Sequence, residues 1–444
     1  MSRQSASFLS PQSDPLRHAT EHLRFHRRRF IAGAGAAGLA WMNPLAELLA
    51  RDAEQKNSQS AQSLILIWLG GGASQLETFD PHPGAKIAYG SQAIKTSIPG
   101  IQLATGLEQL AGELHRTTLI RSIVSKEGDH ERGTYALKTG YRPDPTAVHP
   151  SIGSILCHEL PQEVTRLGLR TEIPRFVSIM PNQWPGRGGL LGAEYDAFKT
   201  YDPARGIPDV RARVPEDRYE QRMTGLNQIE QAFMQRRRRF VQETIHRETL
   251  QQAHTMMTSD QLRAFDVTEE SQSLQDRYGD RPFGRGCLAA RRLTEVGVRC
   301  VEVTLNGWDS HANNHNMQAE QKAALDPAIT TLIQDLADRD ALRRTVVVCL
   351  SEFGRTPKLN GLEGRDHWPH GFSALMVGGR FRQGYVHGAT DPEGGKEVES
   401  PVHVGDLHAS LLQAFDIDYT YENISRTQRP IALAEGTPIT DLYQ

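Results

Sequence analysis

Cysteine is scarce: Cys157, Cys287, Cys300 and Cys349 are the only four in 444 residues, and no two form a CxxC pair. A disulfide framework or a thiolate zinc site is therefore not the organising feature. The four read as small buried hydrophobes, with Cys287 to Cys300 as the alternative disulfide. A basic surplus is also missing. Lys plus Arg total 50 against 53 acidic residues, a formal charge of −3, which excludes the broad positive surface of a sequence-independent nucleic-acid binder. No apolar run approaches the ~20 residues of a membrane-spanning helix, and no internal repeat is visible. GxSxG, HExxH and the kinase signatures are absent, which removes three common enzyme readings. What is present is an ordinary globular composition, 38% hydrophobic with 39 glycines, and this excludes disorder and collagen-like repeats.

The first 50 residues differ from the rest. They hold six arginines, no lysine and three acids, with the arginines ending in the run His26-Arg27-Arg28-Arg29-Phe30. A short apolar stretch of small residues follows at 31–42, and another small-residue region at 46–50. Basic, weakly hydrophobic and small-residue segments in this order have the layout of an export signal, and Arg27-Arg28-x-Phe30-Ile31 resembles the twin-arginine type. The reading is an export signal at 1–50 handled by the twin-arginine machinery, a polar linker at 51–62, and a domain at 63–444 that works in the periplasm or outside the cell. The segment carries a charge of +3 against a total of −3, which leaves −6 on the body.

Within the body, SLILIWL at 63–69 is a continuous apolar run of the kind found in a strand buried on both faces. Similar runs occur at 299–305 and 345–350, each after a stretch of helical periodicity, and shorter ones at 175–179 and 373–377. Helix followed by strand, repeated, predicts a mostly parallel central sheet with helices on both faces. The charged stretch at about 215–278 has Ile229, Phe233, Phe240 and Ile245 at helical spacing and predicts an inserted helical segment with an apolar face. Its run Arg236 to Arg239 reads as a solvated helix face.

In such sheets function collects at the carboxyl ends of the strands. The unusual polar residues fall there. Glu77 and Asp80 follow the first run, Asp309, His311 and His315 follow the second, and Glu352 and Arg355 follow the third, with Arg365, Asp366, His367 and His370 soon after. Imidazole and carboxylate are the ligands of divalent ions, so Glu77, Asp309, His311, Glu352, Asp366, His367 and His370 are the candidate metal ligands. Gly70 to Gly72 has neither a GxGxxG pattern nor a P-loop lysine, so a phosphate-cradling loop is not supported there.

The segments LGGGASQLETFDP, DHERGTYALKTGYRP, GWDSHANNH, SEFGRTP and GRDHWP together resemble domain-of-unknown-function family 1501, which is in turn similar to the alkaline phosphatase and sulfatase superfamily. That resemblance implies an alkaline-phosphatase-like α/β sandwich holding one or two divalent metals (Zn, Ca, Mg or Mn). It further implies a hydrolase of phosphate or sulfate esters, with an anionic, sulfated or phosphorylated glycan among its substrates. Two departures stand out. The superfamily's hydroxyl or thiol nucleophile position, counted from Thr139-Gly140, falls on His130, and its Asp-His pair becomes Glu352-Phe353. The resemblance then implies attack by metal-activated water, with His130 as the less direct nucleophile and Arg355 or Arg365 stabilising the anionic transition state. The alternative is an exported, non-catalytic protein that keeps the fold and binds a glycan, a sulfated polymer or a protein partner.

Overall fold

The apolar run SLILIWL forms the strand Ser63–Gly70 (β1), whose residues are all buried. The structure is a computed structural model that describes residues 60–160, 170–241, 246–425 and 428–444. The export segment and most of the linker lie outside the described residues. The central sheet continues with Thr117–Val124 (β2), Phe176–Ile179 (β3), Phe198–Thr200 (β4), Cys300–Asn306 (β5) and Thr345–Leu350 (β6). It is completed by His370–Val377 (β7), Tyr385–His387 (β8) and Val402–His403 (β9). The strand order is β8-β2-β7-β6-β1-β5-β3-β4, with β9 beside β2. Every pairing is parallel except those of β7, which runs antiparallel to both β6 and β2. This is the mostly parallel α/β sheet expected from the alternating pattern.

Because strand side chains alternate faces, β1 divides its apolar residues between two cores. Ile65, Ile67 and Leu69 pack with Val301, Val303 and Val347 under the helices Glu108–Glu113, Pro282–Glu295 and Asn314–Asp338. Leu64, Leu66 and Trp68 pack with Val346, Val348 and Met376 on the other face, under His130–Thr139, Ile152–Glu159 and Val404–Ala414. The cysteines follow this division: all four are free and buried. Cys287 belongs to the first core and Cys300 to the second, so the sheet separates the two residues of the alternative disulfide.

One strand carries no run that the sequence pattern announces. The strand β2 has no continuous apolar signature because Arg121 interrupts it; the guanidinium donates to the Phe79 and Gln102 carbonyls and lies 3.2 Å from Asp80. The 215–278 stretch does form helices, Glu216–Val241, His246–Thr258 and Gln272–Tyr278. Its apolar positions Ile229 and Phe233 are 69% and 51% exposed, and Ile245 lies outside the described residues. Among the described residues no helix is long and apolar enough to cross a membrane.

The helix His130–Thr139 ends at Gly140, whose φ of 81° makes a left-handed cap. His408 packs against this cap and donates from Nε2 to the Leu137 carbonyl at 2.9 Å, while its Nδ1 has no partner. Burial holds its pKa down to about 4, because a charged imidazole there would lose its hydration. The folded chain therefore binds fewer protons at His408 than the unfolded chain between about pH 6.5 and 4, and stability falls as pH drops through that window. Relative to His408→Gln, which keeps a donor without titrating, the native protein should lose about 2 kcal/mol more stability between pH 7.5 and 5. Denaturant unfolding at the two pH values checks this; equal losses in both proteins would rule it out.

Candidate metal centre

Three neighbouring parallel strands, β5, β1 and β6, deliver their following loops to one edge of the sheet. The loop after β1 passes close beneath the others. A side chain on Gly71 would place its Cβ 2.5 Å from the Asp309 nitrogen, and one on Gly72 would meet the Phe353 ring at 2.6 Å. Both glycines have positive φ, 115° and 85°, as this turn requires. The Gly71 amide donates to Glu352 Oε1 at 2.9 Å. The Arg355 guanidinium, fully buried, donates to the carbonyls of Gly71, Gly72 and Arg365 and to Asp309 Oδ1 at 2.5 Å.

Around Asp309 stand three histidines from three segments. His130 opens its helix, capped by Asp129, whose carboxylate accepts the amides of Glu131 and Arg132. His311 follows Asp309 by two residues. His367 lies on the short strand His367–Trp368, paired with Gly354–Arg355. Each imidazole turns Nε2 toward Asp309, at 3.4 Å for His130, 3.1 Å for His311 and 3.5 Å for His367. Each Nδ1 is held from behind: His130 by Glu352 at 2.9 Å, His311 by Asp366 at 2.9 Å, and His367 by the Gly128 carbonyl at 2.8 Å. Phe353 is a buried wall against which two of the rings lie, with centroids 4.3 Å from His367 and 5.1 Å from His130.

A carbonyl only accepts, so His367 must carry its Nδ1 proton, and an ionised Asp366 imposes the same tautomer on His311. In their neutral forms both Nε2 atoms then present lone pairs. Those two atoms are 3.0 Å apart, a contact that a positive charge between them relieves. A tetrahedral ion with bonds of ~2.0–2.1 Å holds its ligand atoms about 3.3 Å apart, which matches the spacing of these nitrogens and Asp309 Oδ1. Ligand atoms of His130, Asp309 and His367 also lie within 4.8 Å of one another. The donor set and its backing residues therefore fit a divalent ion, since ligating histidines are oriented by carboxylates or carbonyls at their other nitrogen.

The electrostatics agree with this arrangement. Burial alone would raise the Asp309 pKa, but His130, His367 and Arg355 outweigh it and hold the carboxyl far below its usual range. Asp309, then Glu352, raise His130 to about 9 against the effect of burial. The rim is open, with Asp309 45% and His311 46% exposed.

The candidate ligands thus separate into groups. Asp309, His311 and His367 converge, together with His130. Glu352 and Asp366 stand behind imidazoles. Glu77 is buried elsewhere, on Arg365 at 2.8 Å and His315 at 3.3 Å; burial would raise its pKa, but His315 and Arg365 hold it at about 2. Asp80 accepts from Thr390 at 2.6 Å beside Arg121. His370 packs edge-on against Trp368 and borders a separate cleft with Asp391 and Lys396. Arg355 and Arg365 are both fully buried. Arg365 donates to Thr356, Pro357, Ile87 and Glu77, so both guanidiniums are bonded to loop carbonyls and a carboxylate. The backing roles of Gly128 and Phe353 had no signal in the sequence, because one acts through its carbonyl and the other through its ring face.

The fold and site define an α/β protein with a candidate divalent-metal centre at the carboxyl ends of its sheet. The chain belongs to the family described as "Protein of unknown function (DUF1501)", whose profile matches residues 61–443. A search of curated proteins returns no match. Similar solved structures include Ps i-CgsB, at 10% identity and a TM-score of 0.42 over 87% of this chain and 76% of that one. The PsFucS1 sulfatase from Pseudoalteromonas sp. is 11% identical, with a TM-score of 0.36 over 83% and 70%. A protein in the alkaline phosphatase superfamily from Vibrio parahaemolyticus is 10% identical, with a TM-score of 0.33 over 81% and 67%.

Replacing a backing carboxylate, by Glu352→Gln or Asp366→Asn, should weaken divalent-metal binding by about 10- to 100-fold. His370→Ala should leave it unchanged. Competition against a chromophoric chelator measures all three; equal losses would place the centre elsewhere.

Proposed function

We propose that this protein is an exported metal-dependent hydrolase of phosphate or sulfate esters. The observation that carries the reading is the convergence of three rear-anchored imidazoles on Asp309. The motif resemblance to alkaline phosphatases and sulfatases supplies the substrate class, and the amino-terminal arginine motif supports the location. His130, Asp309, His311 and His367 would hold the ion, in a mixed nitrogen and oxygen set compatible with Zn or Mn and less suited to all-oxygen Ca or Mg sites. Bound there, a divalent ion supplies Lewis acidity to an ester oxygen and makes water more acidic.

The chain's own groups set the conditions for that chemistry. His130 occupies the position where the superfamily pattern has a nucleophile, but both its nitrogens are engaged, by Glu352 and Asp309. This favours water over a covalent adduct. Glu352 fixes the His130 ring, and Arg355 joins His130 and His367 in keeping Asp309 ionised. The open side of Asp309 and His311 leaves room for a substrate to approach from solvent.

A second reading, a non-catalytic binding protein, is favoured by one observation: Arg355 and Arg365 are buried and committed to loop carbonyls and carboxylates, so neither offers its charge to a transition state. The two readings separate in one set of measurements on the purified full chain. The hydrolase reading expects stoichiometric divalent metal and chelator-sensitive turnover on a panel of aryl and sugar phosphates and sulfates, reduced ~100-fold or more by Asp309→Asn or His130→Asn. Metal with no turnover on any ester would favour the binding protein. Absence of both metal and turnover would defeat the hydrolase.

A further inference from the structure

Three residues before His130 lies Glu127, a carboxylate whose side chain is only 4% exposed. It holds two arginines by their inner edges. Arg132 donates from Nε at 2.6 Å and from Nη2 at 3.2 Å, and Arg142 donates from Nε at 2.6 Å. The two arginine side chains are 52% and 57% exposed. Among the described residues no hydrogen bond engages Nη1 of Arg132 or either terminal nitrogen of Arg142. One carboxylate therefore fixes two guanidiniums and leaves their outer forks facing solvent. Asp129, whose charge also acts on Arg132, directs its carboxylate to the amides of Glu131 and Arg132.

A loop pinned by a salt bridge needs only one arginine. Sharing a buried acid between two orients both and leaves donors in the planar geometry that takes an oxyanion two bonds at a time. The position is as informative as the chemistry. Glu127 and His130 are at most ~11 Å apart along the main chain, and Gly128 between them carries the carbonyl that anchors His367. Arg132 follows His130 by two residues in the first turn of the same helix, about 200° further round its axis. We propose that Arg132 and Arg142 form a second anion subsite beside the metal centre, so that the preferred substrate carries a further sulfate, phosphate or carboxylate besides the ester cleaved. The proposal rests on the ester-hydrolase reading of that centre.

Calorimetric titration of the full, zinc-loaded chain with fructose 6-phosphate and fructose 1,6-bisphosphate tests it without requiring turnover. The bisphosphate should bind about 10-fold more tightly, the equivalent of one well-placed charged contact. Arg142→Gln leaves Glu127 paired with Arg132 and should reduce the ratio of the two affinities to about 3; Arg132→Gln with Arg142→Gln should bring it to about 1. A ratio near 1 in the native protein, or one that Arg142→Gln leaves untouched, overturns the subsite. If the double variant melts early because Glu127 is left buried and alone, Arg142→Gln decides. Asp309→Asn separates the two proposals. Loss of monophosphate binding with Asp309→Asn supports the metal centre, whereas unchanged monophosphate binding with an arginine-dependent bisphosphate preference overturns the hydrolase reading and leaves a free-standing anion site.

Discussion

The buried guanidinium of Arg355 is the constraint on which the rest of the site depends. It reaches the carbonyls of Gly71 and Gly72 after the first strand, the carbonyl of Arg365 in the later loop, and the carboxylate of Asp309 after the fifth strand. Three loops from distant parts of the chain are tied through one planar group whose donor directions are fixed. A buried charge is tolerable only when paired and fully hydrogen-bonded. Here the pairing partner is also the acid at the middle of the histidine cluster, so the interaction that makes Arg355 affordable also joins His130 and His367 in holding Asp309 ionised.

The neighbouring features follow from this packing. The loop after β1 must run close under the Asp309 loop to present two carbonyls to one guanidinium, and only glycine leaves space for that approach at Gly71 and Gly72. Gly133 plays the same part on the helix that starts at His130, since a Cβ there would sit 3.2 Å from the Phe353 ring and 3.3 Å from the Glu352 carbonyl. The helix can therefore lie against the loop after β6, and His130 meets both Glu352 and Asp309. Phe353 fills the remaining space and fixes the plane of His367 by stacking.

Much of the scaffold is legible in the sequence because its central strands are buried on both faces and read as unbroken apolar runs. The strand with Arg121 at its centre escapes that rule, since its polar side chain is satisfied by tertiary partners far along the chain. At the site, residue type identifies the region but not the roles. Glu352 and Asp366 look like ligands because carboxylates near histidines usually do, yet each faces the Nδ1 of a histidine. Glu77 is equally ligand-like in sequence but pairs with Arg365, whose complete burial leaves it no partner in water. His130 stands in a nucleophile's position, and only its two carboxylate contacts show how its ring is held, with Nδ1 on Glu352 and Nε2 on Asp309.

The cluster is held by its own charges and hydrogen bonds. Four groups that favour a cation at their centre would repel one another if all were neutral lone pairs or bare charge. Asp309 instead draws on Arg355 at one oxygen and on His130 at the other, and the proton that His130 retains up to about pH 9 supplies part of the positive charge the site calls for. A divalent ion bound at this centre would compete with that proton for the same nitrogen. The geometry is thus held by interactions from behind the imidazoles and beneath the aspartate, while the exchangeable charge sits in front, on the side open to solvent.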